Sequence, residues 1–164
     1  MHLSAQASYQ ANAARVSAML ADREFVETKV RASGAVAQSI DVAGSNEGAF
    51  TITTRRQVPT TDVPAQFRAL VGGTLEVREV QAWQAPTANG RHGTIAVEVT
   101  GAPVRLTGTM RMTESGAAST SVVIDADLKA SIPFFGGAVE KAIAEAVHSA
   151  IRAEEQAGAA WLTS

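Results

Sequence analysis

The chain has 164 residues, which on a scale of roughly 100–200 residues per domain predicts a single domain over 1–164. It carries 14 Lys and Arg against 16 Asp and Glu, a net charge of −2. A protein held by phosphates needs a basic excess, so no nucleic-acid partner is expected. Cysteine is absent, which excludes thiol catalysis, disulfide scaffolds and cysteine-ligated metals.

Apolar residues make up 46% of the chain, enough to argue against intrinsic disorder. Alanine accounts for 32 of the positions and aromatics for only 5%, so a limited set of Val, Ile, Leu, Met and Phe must fill the core. The opening Met1-His2-Leu3-Ser4-Ala5-Gln6 alternates and lacks the charged and apolar regions of a targeting signal. No run of ~18 apolar residues occurs, so stable membrane insertion is not expected and the location predicted is cytoplasmic.

In chain order, Leu3, Ala5, Ala7 and Tyr9 alternate with polar residues and predict a half-buried strand. Asn12 and Asp22 are N-cap residues for two short helices, the first with Val16, Met19 and Leu20, the second with Phe25, Val26, Lys29 and Val30, ending at Gly34. Strand patterns then dominate. Val36, Gln38, Ile40 and Val42 share one parity; after the turn at 44–48, Phe50, Ile52 and Thr54 share the next. Prolines 59 and 64 break the ladder, and a short helix over Pro64–Val71 ends at Gly72-Gly73.

The run Thr74–Gln84 places Leu75, Val77 and Trp83 on one face. Asn89-Gly90 marks a hairpin into Ile95, Val97 and Val99. Two further strands follow, one with Val104, Leu106, Met110 and Met112, the other with Val122, Ile124, Ala126, Leu128 and Ala130. Strands spaced this regularly by turns predict one antiparallel sheet. Pro133 is suited to the first turn of a final helix reaching about Gln156, on which Phe135, Val139, Ile143, Val147 and Ile151 recur every four residues.

A seven-stranded sheet with one apolar face must cover it, and the long helix is the element large enough to do so. Three stretches carry a resemblance: Ala11-Asn12-Ala13-Ala14-Arg15-Val16 with Asp22-Arg23-Glu24-Phe25; Val63-Pro64 to Val71-Gly72-Gly73 with Trp83 downstream; and Phe134-Phe135-Gly136-Gly137-Ala138-Val139-Glu140-Lys141. With the order of elements they resemble the helix-grip fold of the START-like (SRPBCC) superfamily, and within it an actinobacterial family of unknown function. The resemblance implies an α+β fold: a seven-stranded curved antiparallel sheet wrapped around a long C-terminal helix, with two short helices after the first strand. It also implies a mostly apolar cavity for a hydrophobic small molecule.

Within that frame the cavity-lining candidates are Gln38, Phe50, Ile52, Glu79, Gln81, Trp83, Val97, Met110, Phe135, Val139, Ile143 and Val147. Gln38, Glu79 and Gln81 are polar residues on apolar parities, and Arg56 follows Phe50 and Ile52. Burying an unpartnered amide costs ~1–3 kcal/mol, and a charge costs more. Either a bulge, expected near Arg78, returns Glu79 to solvent, or these groups meet partners inside and orient a ligand's polar end.

His2, His92 and His148 match no metal or catalytic spacing, and Gly136-Gly137 reads as close packing of the helix start on the sheet rather than a phosphate nest. No catalytic residue, metal or cofactor is assigned. The favoured function is a binding or carrier module for a lipid, isoprenoid or polyketide-like molecule. The alternative is a cyclase- or dehydratase-type enzyme using Glu79, Arg56 or His148. A homodimer through the strand Val104 to Thr113 is the third reading.

Overall fold

Local signals set most of the elements. The first alternation forms β1 (His2–Tyr9), burying Leu3, Ala5, Ala7 and Tyr9. Asn12 Oδ1 accepts from the Arg15 amide at 2.9 Å to cap α1 (Ala13–Leu20). Asp22 Oδ1 accepts from the Glu24 and Phe25 amides at 2.8 and 3.4 Å to cap α2 (Arg23–Ala32). There follow β2 (Val36–Gly44), β3 (Phe50–Pro59), α3 (Ala65–Val71), β4 (Thr74–Trp83), β5 (Arg91–Val99), β6 (Val104–Glu114), β7 (Thr120–Ala130) and α4 (Gly136–Thr163). This computed structural model describes residues 1–61, 63–116 and 118–164, and at Leu70 the backbone alone; Asp62, in the expected break between the two prolines, lies outside the described residues.

The strands form one antiparallel sheet in the order β1-β7-β6-β5-β4-β3-β2. It is curved and wraps the C-terminal helix, the α+β architecture expected from the order of elements. β6 lies between β5 and β7 and spends its hydrogen-bonding edges on them. It therefore has no free hydrogen-bonding edge, and the outer strands are β1 and β2.

Along the inner face the core runs from Leu3, Ala7 and Tyr9 through Leu106, Met110, Met112 and Leu128 to Phe50, Ile52 and Trp83, and it is closed from the helical side by Val16, Met19, Phe25 and Val26. Phe25 meets Trp161 edge-on with ring centroids 5.5 Å apart, tying α2 to the end of α4. On β5 Arg91 is buried over the Phe50 ring at 5.1 Å and donates to the carbonyls of Asn46 and Gly48, which fixes the β2–β3 turn.

α4 differs from expectation at both ends. Pro133 lies outside it, because Phe134 adopts a left-handed φ of 66° that interrupts any helix begun there. Helix starts at Gly136, where a Cβ would meet the Ala130 carbonyl oxygen at 2.5 Å, so close packing on β7 is the reason for that glycine. At the other end the helix runs on to Thr163. Gly158 does not stop it, because it is a contact residue: a Cβ there would lie 2.5 Å from Cε1 of the buried Tyr9 ring.

Candidate functional site

On the sheet's inner face a cluster of polar groups lies on β3 and β4. Their register is unbroken, with Phe50 opposite Trp83, Ile52 opposite Gln81, Thr54 opposite Glu79 and Arg56 opposite Val77. No bulge occurs near Arg78, so Glu79 keeps the parity of Val77, Gln81 and Trp83 and faces the interior with them. The expected return of Glu79 to solvent is corrected. The bulge lies instead between Ala37 and Ser39, at Gln38. The extra residue exchanges faces upstream of it: Ile40 is buried, Gln38 is exposed and Val36 is 68% exposed. Gln38 thus stands apart from the other candidates.

Arg56 and Glu79 form the centre of the cluster, with side chains only 18% and 15% exposed. Arg56 Nη2 donates to Glu79 Oε2 at 2.9 Å, and its Nη1 donates to Thr54 Oγ1 at 3.0 Å. Gln81 Nε2 donates to the other Glu79 oxygen at 2.7 Å, while Trp83 Nε1 donates to Gln81 Oε1 at 3.4 Å. Burial by itself would raise the Glu79 carboxyl. Attraction to Arg56 and Lys29, with the hydrogen bonds from Arg56 and Gln81, outweighs burial and lowers it from 4.5 to about 2.

Lys29 belongs to a second pair facing the first from the helical layer. Its Nζ donates to Glu154 Oε2 of α4 at 3.3 Å, and the Tyr9 hydroxyl donates to Glu154 Oε1 at 3.3 Å. Burial pushes the Tyr9 phenol well above its ordinary range, helped by the negative charge and hydrogen bond of Glu154 and by the charge of Glu155. Sequence reasoning did not single out Lys29, Glu154 or Tyr9 as site residues. The signal was present for two of them: Lys29 sits on the apolar stripe Phe25, Val26 and Val30, and Glu154 continues the stripe Val147, Ile151 at helical spacing.

The remaining candidates fall around this cluster. Phe50, Ile52, Gln81, Trp83 and Met110 are buried on the inner face, Val97 is half-buried there, and on α4 Val139 is buried while Ile143 and Val147 are half-buried. The backbone of α4 runs close to α2, β1 and β7, and its Ile143 and Val147 pack against the buried core. Phe135 lies away from the cluster, at the start of α4, half in solvent and edge-on to Phe67 of α3 at 5.4 Å.

The exposed large apolar side chains Met1, Val36, Phe134 and Phe135 lie at the end of the sheet where β1, β2, β4 and β6 begin, Met1 and Val36 at its opposite edges. Two open clefts lie elsewhere at the surface. One of about 240 Å³ is lined by Arg15, Met19 and Trp161, the other of about 410 Å³ by Arg105, Asp127 and Lys129.

His2 and His92 are exposed and His148 is half-buried on α4. Among the described residues no three metal-ligating side chains come together. No helix there is long and apolar enough to cross a membrane.

Residues 4–162 match the family described as "Protein of unknown function (DUF2505)". An uncharacterised protein of Mycobacterium tuberculosis is 27% identical over 135 residues, covering 79% of this chain and 76% of its own. Among solved structures, a Thermus thermophilus protein superposes over the whole of both chains with a TM-score of 0.62 and 18% identity. The Zhui aromatase/cyclase from a Streptomyces species covers 96% of this chain and 90% of its own, with a TM-score of 0.59 and 15% identity. A START superfamily protein from Mycobacterium smegmatis covers 94% of both chains, with a TM-score of 0.57 and 16% identity. At such identities the likeness is one of fold.

Proposed function

The chain belongs to DUF2505, a protein family of unknown function, and we propose that it is a binding or carrier module for a hydrophobic small molecule, of the lipid, isoprenoid or polyketide kind, held between α4 and the inner face of the sheet. One observation carries this reading: two facing ion pairs, Arg56–Glu79 and Lys29–Glu154, are set into an otherwise apolar interlayer. Buried pairs contribute less to stability than apolar side chains of the same size, so their presence inside a small core points to use rather than to support. The half-buried aliphatic stripe of Ile143 and Val147, packed against the core, supplies the apolar wall such a guest needs.

The same cluster bears on the enzymatic alternative. Arg56 and Glu79 do face inward, as acid–base chemistry would require. Yet a carboxyl held near 2, with a donor on each oxygen, is a weak base and is not a proton donor at neutral pH. Binding without turnover is therefore the reading favoured.

The test is a titration with N-phenyl-1-naphthylamine, a neutral apolar probe whose emission rises on transfer from water. Saturable enhancement with one site is expected, and it should be lost when Val147→Trp fills the interlayer in a protein that still melts cooperatively. Failure of the probe to saturate, or full binding by the Val147→Trp protein, would overturn the proposal.

A further inference from the structure

We propose, building on the binding reading above, that the guest's polar end is uncharged and accepts hydrogen bonds, as a carbonyl, ester or hydroxyl does, and that the site discriminates against the corresponding carboxylate.

The inference comes from charge and hydrogen-bond accounting at the cluster. Two cations, Lys29 and Arg56, face two carboxylates, Glu79 and Glu154, and each cation is already in contact with one of them. The interlayer is thus balanced without a ligand. An anionic guest would bring a third negative charge out of water with no free cation to meet it, and would stand close to the Glu79 and Glu154 carboxylates. A neutral guest meets no such penalty.

Donors and acceptors are not balanced in the same way. Every carboxylate oxygen of the cluster already accepts a hydrogen bond: Glu79 from Arg56 and Gln81, Glu154 from Lys29 and Tyr9. The donors have capacity left. An ammonium carries three N–H groups and a guanidinium five. Among the described residues Lys29 Nζ makes one such bond and Arg56 two. The group best suited to the interlayer is therefore an acceptor without charge, positioned between β3–β4 and α2.

The experiment is competition against bound N-phenyl-1-naphthylamine at neutral pH by three compounds sharing one alkyl chain: dodecanol, methyl dodecanoate and dodecanoate. The alcohol and ester should displace the probe at least about tenfold more tightly than the acid. Glu79→Gln and Glu154→Gln each remove one negative charge and should narrow or reverse that preference, whereas Arg56→Gln should widen it. Either carboxylate variant suffices if the other does not fold.

Dodecanoate binding to the unaltered protein as tightly as the ester would overturn this inference and leave the binding reading standing. A preference unchanged in both folded carboxylate variants would also overturn it, since selectivity would then come from elsewhere. If the probe itself does not bind, the underlying reading falls and takes this one with it.

Discussion

Glu79 offers a direct measure of how firmly the interior holds its charge. Its carboxyl falls from 4.5 to about 2 on folding, despite burial, because Arg56, Lys29 and Gln81 all favour the ionised form. At about 1.4 kcal/mol per tenfold change in proton affinity, the ionised group contributes about 3 kcal/mol to folding. The folded value is the depressed one, so the unfolded chain takes up the proton first as pH falls. The contribution is complete above about pH 4.5, declines between there and pH 2, and is gone below. Glu79→Gln cannot titrate at this position. Urea unfolding followed by tryptophan fluorescence, run on both proteins across that window, should show their stability difference shrinking by about 3 kcal/mol from neutral pH to pH 2. A difference that stays constant through the window would mean that Glu79 is not held by the cations, and the reading of the cluster would be wrong.

Other consequences can be checked separately. Tyr9 is the chain's single tyrosine, so absorbance of the phenolate reports on it alone. Because its folded value is raised, stability should fall as pH climbs past 10, and phenolate should appear only as the protein unfolds; ionisation near 10 with intact circular dichroism would refute its burial against Glu154. Gly158→Ala should lower the melting temperature even though alanine is the better helix former by about 1 kcal/mol, because its Cβ would lie 2.5 Å from the Tyr9 ring; a rise would show that the contact yields. Val36→Ser should change stability by less than about 0.5 kcal/mol while Ile40→Ala costs about 2–5 kcal/mol, and equal effects would contradict the bulge at Gln38. Glu79→Leu alone should destabilise by about 3–5 kcal/mol by stranding Arg56, whereas Arg56→Met with Glu79→Leu should restore or exceed the original stability; denaturant midpoints of the two proteins decide it.

Periodicity carries local information, and the elements that depend on it were legible. The capping by Asn12 and Asp22, the alternation through β1, β6 and β7 and the four-residue stripe of α4 each follow from side chains within a turn or two of one another. What failed were features set by distant contacts. A bulge adds one residue whose cost depends on how two strands meet, so parity alone points to Arg78 while the pairing of β2 with β3 puts the bulge at Gln38. Gly158 has the composition of a helix stop and is instead a seat for Tyr9, 149 positions earlier in the chain. The strand order, which sets β6 between β5 and β7 and leaves β1 and β2 outermost, is likewise not contained in alternation.

The candidate site shows the same division in a sharper form. That Glu79 and Gln81 break an apolar parity is visible in the sequence; that they break it inward is decided by Arg56 and Lys29, which lie 23 and 50 positions earlier. An unpaired carboxylate on that face would have forced a bulge, and the bulge was the cheaper expectation so long as no partner could be named. Four charged residues from β3, β4, α2 and α4 solve the problem together, and none of them is tolerable there alone. Their mutual dependence also links the two layers. Lys29 and Glu154 join α2 to α4, and the same Lys29 is one of the cations that hold Glu79 ionised on the sheet, so the contact between the two helices and the charge balance on β4 depend on one side chain.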